Sequence, residues 1–559
     1  MYNLRMQQIR EALAKALKNV DVSVADHDIH LEHTDDLSHG DYATNAALSY
    51  AKQLKMNPKE LAERLAAEVR GIEGVANVEV AGPGFINFTL TPAYLAEVLE
   101  IGRTHGEKWG SGVSLKGEQI LVEYTSPNLF KPLHIGNLIG NIIGESVSRL
   151  FEFGGADVKR INYPSDIGLP VAKCVWGLQK TGGDPHVIAA LGDAYRAGNA
   201  AYEADAKGEI DAINKALYED SDSKLTALRE AGIKTSRKHL DALCKKLGTK
   251  FDLEFFESET GPIGKEIVEK HGDVFEKSDG ATIYKGEKVG LHTRVFVNSA
   301  GLPTYEAKDL GNFKLKRKEY PKWDRSYIVV GVEQKEYLKV VFAAIKEVFP
   351  EAKEKVLEHI ANGFLTLTTG KMSSRMGNVI TGESLINDLT EVARGHAADS
   401  RADDKEKLAQ EVAVAAIKFQ ILKGGTSKDI IFDRERALSV EGDSGPYLQY
   451  THARTHAIME KAKEAGIKAK YDASIAPSDL ARLLYRFPEI VLHAQEELEP
   501  HIVANYLITV ASAFNSWYAQ EQILDGTDAA AHKVALTDIV RLTLKNGLWL
   551  LGIPAPEKL

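Results

Sequence analysis

Two short segments of this sequence gather side chains suited to handling phosphate. The first is Ser126-Pro127-Asn128-Leu129-Phe130-Lys131-Pro132-Leu133-His134-Ile135-Gly136-Asn137, which lies between an apolar run and a long apolar helical pattern. Backbone N–H groups at a helix start favour anions, Gly136 lets a phosphate approach closely, and His134 and Lys131 can donate hydrogen bonds to phosphate oxygens. Taken alone, the segment reads equally as a strand-to-helix turn with a capping histidine. The second is Gly370-Lys371-Met372-Ser373-Ser374-Arg375-Met376-Gly377-Asn378, where glycines flank a cationic loop. Lys371 and Arg375 suit the charge that develops on an α-phosphate and its leaving pyrophosphate as a carboxylate attacks. The bland alternative is a solvated basic loop. The two segments in this order are much more specific than either alone.

The elements that must position them follow from periodicity. Ile120 to Tyr124 reads as a buried strand, and Ile135 to Phe153 as a long apolar helix. Further strands are expected near Val158 to Tyr163, Tyr327 to Val332 and Gly363 to Thr368. This order implies a parallel sheet wound with helices, an α/β core of Rossmann type. We place that core at 113–390, with a largely helical, charged insertion at about 178–290. Residues 1–112 mix helical stretches (Ile9 to Leu17, Pro58 to Val69) with a strand, Asn87 to Leu90, after the Gly82-Pro83-Gly84 turn, and read as a small α+β domain. Residues 391–559 read as an all-α helical bundle, with helical spacing in Leu408 to Leu422, Pro446 to Ala465 and Ile502 to Gln520.

The bulk numbers agree with a multidomain globular protein. The chain has 559 residues, 44% apolar and 26% charged, too long for one core. No apolar run approaches the roughly 20 residues of a membrane helix, and the first residues read as an amphipathic helix rather than a cleavable signal, so a cytoplasmic protein without membrane contact is expected. The two cysteines, Cys174 and Cys244, lack metal-ligand spacing and indicate neither a zinc site nor a disulfide framework. A net charge of −10 argues against coating nucleic acid by bulk electrostatics, so an RNA partner must be held by shape and local contacts.

The paired segments resemble the HIGH and KMSKS signatures of class I aminoacyl-tRNA synthetases, with His134-Ile135-Gly136-Asn137 and Lys371-Met372-Ser373-Ser374-Arg375 in those places. Asn137 stands where the family usually has a second His, and Ser374 where many members have the second Lys. In arginyl members lacking that Lys, a Lys shortly before the HIGH motif substitutes, and Lys131 occupies such a position. The resemblance thus implies that Lys131→Ala cripples amino-acid activation.

Further segments resemble the arginyl family in particular. Gly40-Asp41-Tyr42-Ala43-Thr44-Asn45 and Gly82 to Phe88 are similar to its extra amino-terminal domain, which contacts the tRNA elbow. Ser444 to Arg454 is similar to the opening of its anticodon-binding bundle. A guanidinium needs fixed planar acceptors, since it forks onto carboxylates as an ammonium cannot. The resemblance implies an arginine pocket of Glu123, Asn128, Tyr305, Asp309 and Gln334: Asp309 and Glu123 for the guanidinium, Tyr305 for its orientation, Asn128 and Gln334 for the α-amino end. Tyr305 and Asp309 lie one helical turn apart. Without the resemblance, Asp309 reads as a helix-surface charge, Tyr305 as a core aromatic and Glu123 as a sheet-edge carboxylate. A carboxylate in an apolar strand is nevertheless expensive unless paired, and a cationic ligand is one partner for Glu123.

The implied reaction joins L-arginine to ATP, giving arginyl-adenylate and pyrophosphate, and then passes the aminoacyl group to the 3' end of tRNA(Arg). His134, Lys131, Lys371 and Arg375 supply positioning and charge, with Mg2+ held mostly through the ATP phosphates rather than by a protein metal site. Activation is expected to depend on bound tRNA. From Glu441 to Leu559 the sequence holds 11 Lys and Arg against 15 Asp and Glu, so anticodon recognition must rest on local contacts. Tyr447, Gln449, Tyr450 and Arg454 are the tRNA-binding candidates, with Trp517 and Tyr518 as further stacking residues, many of which belong instead to a bundle core. A monomer is expected. The competing readings are a catalytically idle tRNA-binding paralogue, favoured by Asn137 and Ser374, and a class I synthetase for another amino acid.

Overall fold

The computed structural model describes residues 4–34, 36–133, 135–367, 381–397 and 400–559. Its centre is a sheet of five parallel strands in the order Val356–Asn362, Arg325–Gly331, Gln119–Glu123, Asp157–Asn162 and Leu253–Glu254. Gln119–Glu123 is central because it can be: Ile120, Leu121 and Val122 are all buried, as a strand covered on both faces requires. The chain leaves it for the helix Ile135–Phe153 and returns to Asp157–Asn162 on one side, and only much later reaches Arg325–Gly331 on the other. The crevice at the carboxyl ends of the strands, where the order reverses, is where such a sheet binds ligands.

The strand expected at Gly363 to Thr368 is not part of this sheet. The edge strand is Val356–Asn362, parallel to Arg325–Gly331, while Leu365–Leu367 pairs with Ile430–Phe432 in a separate two-stranded ladder. Glu358 and His359 interrupt the apolar signal of the true strand, which an edge position tolerates. Between 178 and 290 the helices Ile188–Ala204, Lys207–Glu219, Ser223–Leu247 and Glu257–Lys270 make up most of the chain, while Leu253–Glu254 rejoins the main sheet, and Glu276–Ser278 and Ala281–Tyr284 form an antiparallel sheet with Arg294–Val297, just beyond it. Strands this short in a charged stretch leave no readable period.

The amino-terminal region is a four-stranded antiparallel sheet backed by helices, and in Phe85–Leu90 the alternate residues Ile86, Phe88 and Leu90 face its core. The carboxy-terminal region packs the helices Lys405–Leu422, Gly445–Glu464, His501–Gln520 and Ala530–Leu550. These two regions touch through the segment resembling a tRNA-contact motif. Gly40 has φ 93°, and a Cβ there would lie 2.6 Å from Phe88 O. Asp41 accepts from Leu90 N at 2.7 Å and pairs with Arg482 at 3.2 Å. Tyr42 Oη donates to Glu489 Oε1 at 2.8 Å, and Arg486 donates to Thr34 O at 3.0 Å. Nearby, the fully buried Trp109 donates its Nε1 to Thr543 Oγ1 at 2.9 Å. The motif therefore seats the first domain on the bundle.

Because Glu489 is buried and accepts from Tyr42, Glu489→Leu is expected to cost about 1–3 kcal/mol, the penalty for leaving buried polar partners unmatched. Denaturant unfolding would register this as a lower midpoint; an unchanged midpoint would refute the role given to the junction.

Candidate active site

Directly after the central strand the chain turns sharply. Thr125 has φ 75° and Ser126 φ 36°, left-handed values that cost a side-chain-bearing residue energy. Two asparagines one turn apart on the following helix hold this turn. Asn137 Nδ2 donates to Thr125 O and Asn141 Nδ2 to Thr125 Oγ1, both at 2.9 Å. Asn141 is itself fixed by Thr249 Oγ1 at 2.9 Å. The loop then runs beside residue 165, with Leu129 N donating to Ser165 O at 3.1 Å and Ser165 N to Pro127 O at 3.0 Å. Phe130, also left-handed at φ 70°, buries its ring against Gly232, where a Cβ would lie 2.2 Å from the ring.

This construction opens a cleft of about 430 Å³ between Thr125, Ser126, Asn128, Gly136 and Asn137 on one wall and Val330, Gly331, Gln334 and Asn362 on the other. It lies at the strand-order reversal and is the right size and place for a nucleotide. Gln334 is exposed in the turn after Arg325–Gly331. Lys131 points its ammonium at the ring of Tyr195, 5.1 Å away, on the insertion helix Ile188–Ala204, and burial lowers its pKa. His134, Lys371, Met372, Ser373, Ser374 and Arg375 lie outside the described residues.

Beside the cleft is a corner crowded with carboxylates. It exists because the helices Glu257–Lys270 and Tyr305–Glu319 touch backbone to backbone: a Cβ on Gly264 would lie 1.7 Å from Ala307 O. Glu123 is buried, but its partner is internal. Its Oε2 is 2.6 Å from Lys316 Nζ and accepts from Asn312 Nδ2 at 2.8 Å. Glu257 is likewise buried against Lys308, with Nζ 2.5 Å away. Asp309, by contrast, accepts from Tyr337 Oη at 2.5 Å and forms no ion pair among the described residues. Burial lifts its carboxyl to about 7, and the charges of Glu123 and Glu257 add to the rise. Among the described residues these three carboxylates thus have two lysines in contact, and Asp309 is the one without a cation in contact. Tyr305 is 53% exposed at the mouth, its ring 5.1 Å from Lys308 Nζ.

Lys316, Asn312, Tyr337 and Asn141 were not singled out from the sequence. Lys316 could have been, since 309, 312 and 316 recur on one helix face.

On the bundle, Arg454 lies over Tyr450 at 5.0 Å and Tyr518 at 5.5 Å, and donates to Asn515 Oδ1 at 2.5 Å. Asn515 in turn donates to Tyr447 Oη at 3.0 Å. Tyr450 and Tyr518 are 43% and 40% exposed, so this cluster offers open ring faces. Gln449 does not belong to it. Its helix turns it fully inward, where Nε2 donates to Pro554 O at 2.8 Å, so it ties the chain's end rather than reaching a partner. Trp517 packs against the core with Phe514.

Comparison with known proteins gives a consistent picture over the whole length. The model of the class I (R) tRNA synthetase catalytic domain matches residues 104–434, that of the arginyl tRNA synthetase N-terminal domain residues 7–90, and that of the DALR anticodon-binding domain residues 448–559. An arginine–tRNA ligase of Borrelia hermsii is 30% identical over 542 residues, covering 91% of each chain. One of Limosilactobacillus reuteri is 31% identical over 568 residues, covering 99% of each. The solved structure of Thermus thermophilus arginyl-tRNA synthetase superimposes with a TM-score of 0.82 at 26% identity, covering 99% of this chain and 100% of that one.

If the two asparagines hold the turn, Asn137→Ala should weaken ATP binding by roughly tenfold, about 1.4 kcal/mol, while costing only about 1 kcal/mol in stability. Equilibrium titration with a nucleotide analogue would read this out, and wild-type affinity in a folded variant would remove the turn from the site.

Proposed function

The chain belongs to the class I arginyl-tRNA synthetase family, and from that premise we propose how its residues divide the work of an arginine–tRNA ligase. The enzyme joins L-arginine to ATP, forming arginyl-adenylate and releasing pyrophosphate, and then transfers the arginyl group to the 3' end of tRNA(Arg), releasing AMP. The comparisons favour neither an idle paralogue nor another amino acid.

ATP is assigned to the cleft lined by Gly136, Asn137 and Gly331, with Asn128 and Gln334 near the α-amino end of arginine. The guanidinium is assigned to Asp309, with Tyr305 bounding it and Glu123 behind. The observation that carries this is the missing cation: Lys316 and Lys308 neutralise two of the three carboxylates, and arginine supplies the third positive charge. Tyr337 orients the Asp309 carboxylate, so acceptor geometry is fixed before the ligand arrives. The arginine carboxylate then attacks the α-phosphate in line. His134, Lys131, Lys371 and Arg375 are assigned to the charge that develops on the phosphates, with Met372 and Ser373 in the same sequence segment. Mg2+ reaches the reaction bound to ATP; among the described residues no three His, Cys, Asp or Glu side chains converge on a cation site. Tyr447, Tyr450, Arg454 and Tyr518 are assigned to unstacked anticodon-loop bases. We further assign tRNA-dependent activation, a monomer and a cytoplasmic location. No helix among the described residues is long and apolar enough to cross a membrane.

Charging of total tRNA with arginine, lysine or glutamine in turn tests this reading. Arginine alone should be esterified, and Lys371→Ala should lower the rate by about 100-fold or more. Lysine or glutamine charging at comparable rates would refute it, and rapid ATP–pyrophosphate exchange without tRNA would refute the tRNA dependence.

The acid–base state of Asp309 gives a second test. A guanidinium stays charged throughout, whereas Asp309 in the free enzyme is protonated below about 7. The kcat/KM for arginine should therefore fall as pH drops through 7, approaching tenfold per unit. Asp309→Asn should flatten that limb and lower kcat/KM at every pH. A flat profile in the unaltered enzyme would show that Asp309 does not receive the guanidinium.

A further inference from the structure

The helix Ile135–Phe153, which begins with Gly136 and Asn137, is bonded in its later turns to the far end of the chain. Ser146 Oγ donates to Leu550 O and Arg149 Nη1 to Trp549 O, both at 2.8 Å. Arg149 Nη2 also donates to Gly248 O at 3.2 Å, and the buried Lys418 Nζ donates at 2.6 Å to both Leu247 O and Gly552 O. Two helices, Ser223–Leu247 and Ala530–Leu550, therefore end on the same two basic side chains, which donate to carbonyls in and just beyond their last turns. Gly552 is left-handed at φ 65°, and a Cβ there would lie 2.6 Å from Lys418 Nζ.

The same arginine faces the active site through one more residue. Arg149 Nε donates to Glu145 Oε1 at 2.8 Å, and Glu145 Oε2 accepts from Tyr124 Oη at 2.7 Å and Arg160 Nε at 3.0 Å. Tyr124 stands between Glu123 and the left-handed Thr125. Its ring lies so close to Gly144 that a Cβ there would be 2.4 Å from Tyr124 Cγ. A continuous hydrogen-bonded path thus runs from the last helical turn of the bundle to the strand end that shapes both cleft and corner.

We propose that Ser146, Arg149 and Lys418 are positioning residues for amino-acid activation, using the Trp549 to Gly552 turn of the bundle to fix the Tyr124 to Ser126 strand end. The proposal rests on the assignment of cleft and corner to ATP and arginine. None of the three touches substrate in that assignment: Arg149 acts through Glu145 and Tyr124, while Ser146 and Lys418 hold the turn to which Arg149 is bonded. A purely structural role predicts lost stability with surviving molecules of normal turnover; a positioning role predicts reduced turnover in molecules that still fold and bind tRNA.

The test is steady-state arginylation by the full chain carrying Arg149→Gln, Arg149→Lys or Ser146→Ala, with tRNA affinity and unfolding temperature measured alongside. Arg149→Gln should lower kcat by roughly tenfold or more, with arginine KM and tRNA Kd within about twofold. Arg149→Lys should recover part of that loss. Ser146→Ala removes one hydroxyl and should lower kcat about two- to threefold with the same split. A folded Arg149→Gln protein with wild-type kcat, or one whose loss lies in tRNA affinity, overturns the proposal. Should Arg149→Gln fail to fold, wild-type kcat in Ser146→Ala overturns it equally. Failure of the underlying site assignment would appear separately, as undiminished arginine charging by Asp309→Asn.

Discussion

The site depends on a backbone turn that the chain would not adopt unaided. Thr125 and Ser126 occupy left-handed conformations costing on the order of 1–2 kcal/mol each, and the amides of Asn137 and Asn141 offset that cost by bonding Thr125 through its carbonyl and its hydroxyl. The turn ends one wall of the sheet crevice and starts another, since it sets Glu123 on one side and Asn128 on the other. It also accounts for a departure from the family signature. Asn137 stands in the place of an imidazole, and its side chain is engaged with the backbone at the mouth of the cleft. That use of an amide gives no support to a catalytically idle chain.

Charge balance in the neighbouring corner follows from helix packing. Without side chains at Gly264 and Gly311 the two helices come into backbone contact, and this brings Lys308 to Glu257 while Lys316 reaches Glu123. Burying two carboxylates with two lysines leaves Asp309 without an ion pair among the described residues, and the proposed assignment gives that place to the ligand's cation. A guanidinium matches it in charge and in planar geometry, whereas an ammonium would match only the charge.

Much of this was legible in the sequence, and the reasons for the rest are specific. The apolar run Ile120 to Val122 and the long helix after it are strong periodic signals, and both stand in the structure. The segment Ser126 to Asn137 between them stands out by residue type, and Asn128, Gly136 and Asn137 of it line the cleft. The edge strand Val356–Asn362 was obscured by its charged residues, and the small antiparallel sheet by strands of three or four residues. Glu123 reads in the sequence as a carboxylate awaiting a cationic ligand, whereas Lys316, nearly two hundred positions later, pairs with it inside the fold, a contact no local pattern reveals. Gln449 was misjudged because its neighbours Tyr450 and Arg454 face outward, and a single helical step turns a side chain into the core.

The first domain, the sheet core and the bundle are joined by polar contacts, most of them buried: Tyr42 to Glu489, Trp109 to Thr543, and Lys418 to the ends of two helices, with Arg149 bonding the same ends nearer the surface. Buried polar contacts fix relative orientation more strictly than apolar packing, because a small slip leaves donors unmatched. That cleft and corner form one composite site can be checked with a crystal structure containing a non-hydrolysable arginyl-adenylate analogue. Its adenosine should lie between Asn137 and Gly331 and its guanidinium should be hydrogen-bonded to Asp309. An analogue whose guanidinium contacts neither Asp309 nor Glu123 would contradict it.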